Sequence, residues 1–279
     1  MGQKNINFEI SHVKRTDTPF NMLAKHYHDK YEIYYLLNGE RFYFINNRTY
    51  HIKKGDIVLI GKNILHKTNT ADKYPHERIL IQFDTDLINK FTDRASDIDL
   101  SYCFKVKQNV YSLDPEEQLW VENHLFNIIQ ENQKKKEGYL TYIKILTIEL
   151  LIFINRITKS TTSSPTTYPD QTHKKMSQIA SFINEKYNTE LSLIQLADKF
   201  NYSPSYLSKS FKEVTGFNFV EYKNNVRIKE ASKLLQQSNL NVTEIAGHVG
   251  YNNLTHFGRI FKQITGYSPL EYRKMRNNL

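Results

Sequence analysis

Two short stretches in the C-terminal half carry side chains suited to hydrogen bonding and charge contact. Ser205, Ser208 and Lys209 stand in one, and Leu254, Thr255, Gly258 and Arg259 in the other. At helical spacing each set lies opposite an apolar stripe, Leu207 with Phe211 and Phe257 with Phe261, four residues apart. A helix of this pattern buries one face and offers the other. From His173 onward the chain holds 15 Lys and Arg against 8 Asp and Glu, so what the offered faces meet is expected to be nucleic acid.

The elements that must position these residues form an internal repeat with a period of about 50 residues. LSLIQLADKFNYS from Leu191 lies over LNVTEIAGHVGYN from Leu240, pairing Ser192 with Asn241, Ala197 with Ala246, Asn201 with Gly250 and Tyr202 with Tyr251. Beyond one inserted residue, Phe211 pairs with Phe261, Lys212 with Lys262, Gly216 with Gly266 and Tyr222 with Tyr272. Each unit has the parts of a helix-turn-helix. Ser192 and Asn241 can cap a first helix. Ala197 and Ala246 let two helices approach closely. Asn201 and Gly250 tolerate the left-handed turn. Ser203-Pro204 and Asn253 can open the second helix. Between the units, Phe219 to about Gln236 predicts one helix of roughly 27 Å, near the ~34 Å between successive major-groove faces. The same repeat could pack other helices or a protein, but charge and turn chemistry favour DNA.

The chain has 279 residues, 39% apolar and 24% charged, with a net charge of +9. At roughly 150 residues per domain this predicts two domains. Cys103 is the only cysteine, which excludes an intrachain disulfide and fits a reducing compartment. The N-terminus lacks a signal-peptide core, and the sixth residue, Ile6, is not the Ser or Thr of a myristoylation signal. The greasiest stretch, Ile143 to Ile154, is too short to span a bilayer and contains Glu149. A soluble, cytoplasmic protein without a membrane partner is expected.

Residues 1–112 read as short β-strands: YEIYYLLNG, RFYFINN, RTYHIKKGD, IVLIGKN and RILIQFD. Asn38-Gly39 predicts a hairpin between the first two, and the spacing predicts a sandwich or small barrel. Asp114-Pro115-Glu116-Glu117 opens a helix that carries Leu119, Leu125, Ile128 and Ile129. After Gly138 a second helix carries Ile143, Leu146, Leu150, Phe153 and Ile157. This hairpin, residues 113–158, has more apolar surface than one contact buries, so it either dimerises or packs further on the barrel. Residues 159–172, KSTTSSPTTYPDQT, read as a linker, and residues 173–279 as an all-α domain.

At these positions the sequence resembles the AraC/XylS family of bacterial transcription regulators. GYNNLTHFGRIFKQITGYSPLEYR from Gly250 carries the strongest match, and SPSYLSKSFK with Arg227, Ala231 and Leu234-Leu235 fits the first unit. Asn201 replaces a commoner glycine, and Lys209 stands where Arg is frequent, which loses bidentate geometry. The resemblance implies base-edge roles for Ser205, Ser208 and Lys209, and for Asn253, Leu254, Thr255 and Arg259, with His256 beside them. Arg259 suits the guanine O6/N7 edge and Leu254 a thymine methyl. Lys212, Lys262 and the helix starts at Ser192 and Asn241 are phosphate-side candidates.

In the N-terminal half, His26, His28 and Glu32 with the later His66 resemble the first motif of cupins, where such a set binds a metal. Imidazole and carboxylate ligands suit Fe, Mn or Zn, but no Pro-x-Gly precedes His66. An enzyme would hold a catalytic metal there; a sensor would bind a small molecule without one. The AraC resemblance implies the sensor, with no catalytic residue, no metal and no cofactor. His26, His28, Glu32, Tyr34 and His66 are the candidate effector contacts, and a sugar is the family-level guess.

The expectation is therefore an α+β multidomain chain. An N-terminal cupin-like β-barrel carries a helical hairpin, and a C-terminal all-α domain carries two helix-turn-helix motifs. It predicts a non-enzymatic regulator whose partners are operator DNA, a small-molecule effector, a second copy of the chain and RNA polymerase. The alternatives are a DNA-binding regulator with no effector, or a metal-dependent cupin enzyme fused to a DNA-binding domain.

Overall fold

The computed structural model describes residues 8–15, 28–70, 75–89, 98–160 and 168–276. His26 and the Ser/Thr core of the expected linker lie outside the described residues.

Among the described residues eight strands form two sheets. Strands β1 (Phe8–Arg15), β2 (Tyr31–Asn38), β5 (Asp56–Ile60), β7 (His76–Phe83) and β8 (Val110–Ser112) form one, in the order β1-β7-β2-β5-β8. Strands β3 (Glu40–Ile45), β4 (Arg48–Lys53) and β6 (His66–Thr70) form the other, in the order β4-β3-β6. Side chains alternate across a strand, and β2 uses both faces. Ile33 and Tyr35 join a core with Val121, Leu125, Leu146 and Leu150 from two helices. Tyr34 and Leu36 join a second core with Tyr43, Ile45 and Ile52 of the three-stranded sheet. The larger sheet is thus the middle layer between helices and the smaller sheet. The five runs read as strands overlap β2, β3, β4, β5 and β7; β1, β6 and β8 complete the sheets.

The hairpin expected at Asn38-Gly39 does not form. Strand β2 pairs with β5 and β7, whereas β3 pairs with β4 and β6. A strand hydrogen-bonded on both sides has no edge left for the segment that follows it. Asn38-Gly39 is instead the corner where the chain changes sheet. Gly39 takes φ +88°, and a Cβ there would lie 2.6 Å from the Pro75 carbonyl oxygen. The tight hairpin is β3–β4, in which Ile45 opposes Arg48 across Asn46-Asn47 and Asn46 takes φ 58°. Asn tolerates that conformation better than most residues.

After the short helix α1 (Thr85–Asn89) and a 3-10 turn at Tyr102–Phe104, helices α2 (Pro115–Lys134) and α3 (Tyr139–Ser160) form the hairpin. Asp114 caps α2 by accepting from the Glu117 amide, and the Glu117 side chain accepts from the Asp114 amide. The sheet absorbs much of the apolar surface that lies off the α3 seam, since Leu151 and Ile154 are buried with Leu146 and Leu150. Leu119, in contrast, stays 62% exposed. Cys103 is buried under this hairpin, and burial pushes its thiol up to about 12, so it is unreactive.

Among the described residues seven helices make up the C-terminal half: α4 (Gln171–Glu185), α5 (Leu193–Phe200), α6 (Pro204–Thr215), α7 (Phe219–Gln237), α8 (Val242–His248), α9 (Leu254–Thr265) and α10 (Pro269–Arg276). Helix α3 reaches Ser160 and α4 begins at Gln171, so helices take up both ends of the segment read as a linker. Two cores serve this half, one around Leu196, Ala197, Leu207 and Phe211, the other around Ile245, Ala246, Phe257 and Phe261. Arg227 of α7 ties them together. Its guanidinium donates to the carbonyls of Tyr187 (2.6 Å) and Thr189 (2.9 Å) and lies over the Tyr251 ring.

Gly250 sits against this tie with φ +87°, where a Cβ would lie 2.5 Å from the Asn188 carbonyl oxygen and 2.7 Å from Arg227 Nη2. Gly250→Ala is therefore expected to cost at least about 2 kcal/mol, the left-handed penalty plus the clash. Gly247→Ala, in helix α8 with open space at Cβ, should instead gain about 0.5–1 kcal/mol. Urea unfolding of both variants tests the pair; equal stabilities would refute the steric account.

Candidate nucleic-acid interface and sheet-domain site

Helices α6 and α9 carry the C-terminal candidates. Ser203 accepts from the Tyr206 amide at the start of α6, with Pro204 at the first position, and Asn253 accepts from the His256 amide at the start of α9. Helices α5, α7 and α8 open with reciprocal caps, Ser192 with Gln195, Asn218 with Glu221 and Asn241 with Glu244. The apolar stripe of α6 and that of α9 point inward: Leu207, Phe211, Phe257 and Phe261 are buried. Burial of each such side chain stabilises by about 1.5–3 kcal/mol. The opposite face is accordingly turned out. Ser205, Ser208, Lys209, Lys212, Asn253, Leu254, Thr255, His256, Arg259 and Lys262 are all exposed, and Gly258 is half-buried. Lys209 lies 4.0 Å from Glu213 across one turn, an exposed pair too loose to hold the ammonium. Asn201 has φ 56° and Gly250 φ +87°, so both inter-helix turns use the left-handed conformation expected of them. Tyr206, 45% exposed and tilted against the Tyr202 ring, shares the open side of α6. Its aromatic type at the third helical position was the signal for it.

The smaller sheet rests on the first of these units. Phe44 and Leu65 belong to the same core as Phe211, Phe217 and Tyr222. Lys67 of β6 donates to the Gly216 carbonyl (2.6 Å), and Asn69 Nδ2 lies 3.1 and 3.2 Å from the carbonyls of Glu213 and Val214. These carbonyls end α6, where a helix leaves its acceptors without partners and carries partial negative charge. Tyr222 donates its hydroxyl to the Asn46 carbonyl in the β3–β4 turn (2.6 Å). Lys67 and Asn69 are functional candidates that the sequence did not single out, because only the folded chain brings β6 to the end of α6.

Within the larger sheet, Glu32 follows the inward alternation of Tyr34 and Leu36 and is wholly buried. Tyr43 donates to its Oε1 (2.8 Å) and Gln82 Nε2 to its Oε2 (2.7 Å). The Nε2 atoms of His28 and His66 lie 3.2 and 3.6 Å from Oε2. The two imidazole rings meet edge to face, 5.0 Å between centroids. Burial alone would raise the Glu32 carboxyl, yet His66 and His28 hold it well below the usual carboxylate range. Three candidates, His28, Glu32 and His66, are thus brought together. Tyr34 lies on the same face but is buried edge to face against Tyr43, and burial pushes its hydroxyl up to about 12. Gln82 and Tyr43 were missed; Gln82 opposes Glu32 in register, a pairing that sequence spacing does not reveal. An open cleft of about 350 Å³ between β1, β7 and α2 reaches Gln82, with Phe8, Ile10 and Leu80 beside Glu9, Ser11 and Asn132.

Near Tyr34, Arg41, Arg78 and Arg15 surround buried His76. Burial first, then these guanidinium groups, pull His76 down to about 4. The folded protein therefore holds His76 neutral while the unfolded chain protonates it below about pH 6.5. Its contribution is present above that pH and is lost as pH falls toward 4. Thermal unfolding of the wild type should weaken more steeply between pH 6.5 and 4 than that of His76→Gln. Parallel slopes would show that His76 is not held neutral.

The family of AraC-like ligand binding domains matches residues 10–137, and a helix-turn-helix domain family matches residues 196–275. The Msm operon regulatory protein of Streptococcus mutans serotype c is 27% identical over 251 residues, covering 90% of this chain and 86% of that protein. The HTH-type transcriptional activator RhaS of an Enterobacter species is 24% identical over 266 residues, covering 93% and 90%. The uncharacterized HTH-type transcriptional regulator YisR of Bacillus subtilis is 36% identical over 98 residues, covering 35% and 34%.

Proposed function

This chain belongs to the AraC family of DNA-binding transcriptional regulators with an N-terminal ligand-binding domain, and from that premise we propose how its parts divide the work. The observation that carries the reading is the outward set on α6 and α9, held opposite buried aromatic stripes. Helices α5–α6 and α8–α9 act as two helix-turn-helix units in successive major grooves. Helix α7, 19 residues or about 28 Å long, sets their separation. Arg259, Thr255 and Leu254 read bases from the second unit, and Ser205, Ser208 and Lys209 from the first. Lys212 and Lys262 meet phosphates.

Residues 1–112 form the effector domain, which we read as a cupin-like barrel. The cleft beside Gln82, lined by apolar and polar side chains together, suits a small hydroxylated molecule of the sugar class. Exposed Leu119, Tyr142 and Ile145 on α2 and α3 support dimerisation through residues 113–158. Residues 159–172 link this half to the DNA-binding domain, residues 173–279. RNA polymerase is the further partner through which transcription changes. The chain catalyses no reaction and acts in the cytoplasm. Among the described residues no helix is long and apolar enough to cross a membrane.

An effector acts only through unequal affinity for two arrangements of the protein. The bonds from Lys67 and Asn69 to the end of α6 are the contacts such a change would make or break. Screening sugars by thermal shift on the full chain should find one that raises the melting temperature and alters operator affinity. Asn69→Ala is expected to keep the thermal shift and lose the change in affinity. Failure across sugars would favour a regulator without an effector of this class.

Footprinting at moderate salt tests the DNA reading. Arg259→Ala should cost about 1–3 kcal/mol on the specific site and little on random DNA. Lys212→Ala should weaken both and lower the salt slope by about 1. Equal weakening on both DNAs by Arg259→Ala would reduce that residue to a phosphate contact.

A further inference from the structure

The group around Glu32 has a chemistry that a small-molecule pocket leaves unused. His66 Nδ1 lies 2.7 Å from the Ile64 carbonyl oxygen and His28 Nδ1 3.2 Å from that of Lys30. A carbonyl only accepts, so each Nδ1 carries the hydrogen, and in the neutral ring each Nε2 is a lone pair. Both Nε2 atoms lie beside Glu32 Oε2, 3.2 and 3.6 Å away. With both rings neutral, three acceptors would converge in the protein interior; His28 Nε2 can bond Oε2 only as a donor (3.2 Å), and Nε2 of His66 is buried with no hydrogen-bond partner. Such a set requires a positive charge among its members.

The ligand atoms of His28, Glu32 and His66 all lie within 4.8 Å of one another. A tetrahedral centre with bonds of about 2.0–2.2 Å sets neighbouring ligands roughly 3.3 Å apart; the two nitrogens stand 3.2 and 3.6 Å from Oε2. The surroundings already orient the donors, as outer partners of a metal site do. Backbone carbonyls orient both rings, the Tyr43 hydroxyl occupies Oε1, and Oε2 faces the imidazoles while also accepting from Gln82 Nε2 (2.7 Å). Gln82 Nε2 stands 3.3 Å from His28 Nε2, and turning its amide would present an oxygen as a fourth ligand. The His28 side chain is 20% exposed, which gives access from solvent.

We propose that His28, Glu32 and His66 form a binding site for one divalent first-row transition cation of the zinc class. Two imidazoles and one carboxylate select such ions over magnesium and calcium, which take oxygen ligands, and over copper(I), which takes sulfur. This departs from the metal-free pocket expected of the sequence and is independent of the DNA-binding reading. His66 begins β6, the strand whose Lys67 and Asn69 hold α6, so the cation would brace the strand that contacts the first reading helix.

The test uses the full chain, stripped with a chelator and titrated with zinc(II). One equivalent per chain should survive gel filtration and raise the melting temperature. Cobalt(II) should give the visible spectrum of a low-symmetry site with nitrogen and oxygen ligands. His28→Ala and Glu32→Gln should each weaken binding at least about tenfold. His12 with Glu77 and His51 with Glu40 are surface pairs that could bind zinc adventitiously, so the double variant His12→Ala/His51→Ala must retain the equivalent. Failure to retain zinc in the wild type, its loss in the double variant, or its undiminished retention in both His28→Ala and Glu32→Gln would overturn the proposal. Should either site variant fold poorly by circular dichroism, the wild-type cobalt spectrum decides: without imidazole-nitrogen coordination the proposal fails.

Discussion

Strand β2 is bonded on both sides and covered on both faces, and this double confinement governs the N-terminal half. Having neighbours β7 and β5, it cannot pair with the strand that follows, so the chain must turn a corner at Gly39 and start a second sheet. Having helices on one face and the smaller sheet on the other, it sends Ile33 and Tyr35 one way and Glu32, Tyr34 and Leu36 the other. A carboxylate thereby enters an interior where it can persist only among donors and positive charge. The imidazoles, the Tyr43 hydroxyl and the Gln82 amide are the answer to that burial.

The smaller sheet repeats the logic one layer out. Tyr43 and Ile45 of β3 face the larger sheet, while Phe44 between them enters the core of the first helical unit. One strand therefore belongs to two cores, and β6 adds hydrogen bonds to the carbonyl end of α6. Packing of this kind couples the halves through contacts rather than through the segment that joins them in sequence. In the other direction, Arg227 and Gly250 couple the two helical units, a guanidinium filling space that a side chain at Gly250 would take.

Much of the helical half was legible beforehand because its determinants are local. Caps, the glycine or asparagine of a turn and an apolar residue every third or fourth place act within a few residues of themselves. The repeat then presents each determinant twice. The sheet half was legible as strands but not as sheets. Asn38-Gly39 has the local chemistry of a hairpin, yet pairing is settled by which edges are free. Leu119 likewise follows helical spacing and is left exposed, because burial depends on what lies opposite.

By itself the sequence determined the caps that open α2, α5, α6, α8 and α9, the outward faces of α6 and α9, and a His-Glu set of residue types able to ligate. Those properties follow from spacing along one chain and from side-chain chemistry. Only the tertiary structure decided which strands pair, that Gln82 and Tyr43 complete the surroundings of Glu32, and that β6 rests on the end of α6. These contacts join residues far apart in sequence, up to 149 positions for Lys67 and Gly216. Nothing local encodes them, since they arise from the competition of whole layers for the same buried surface.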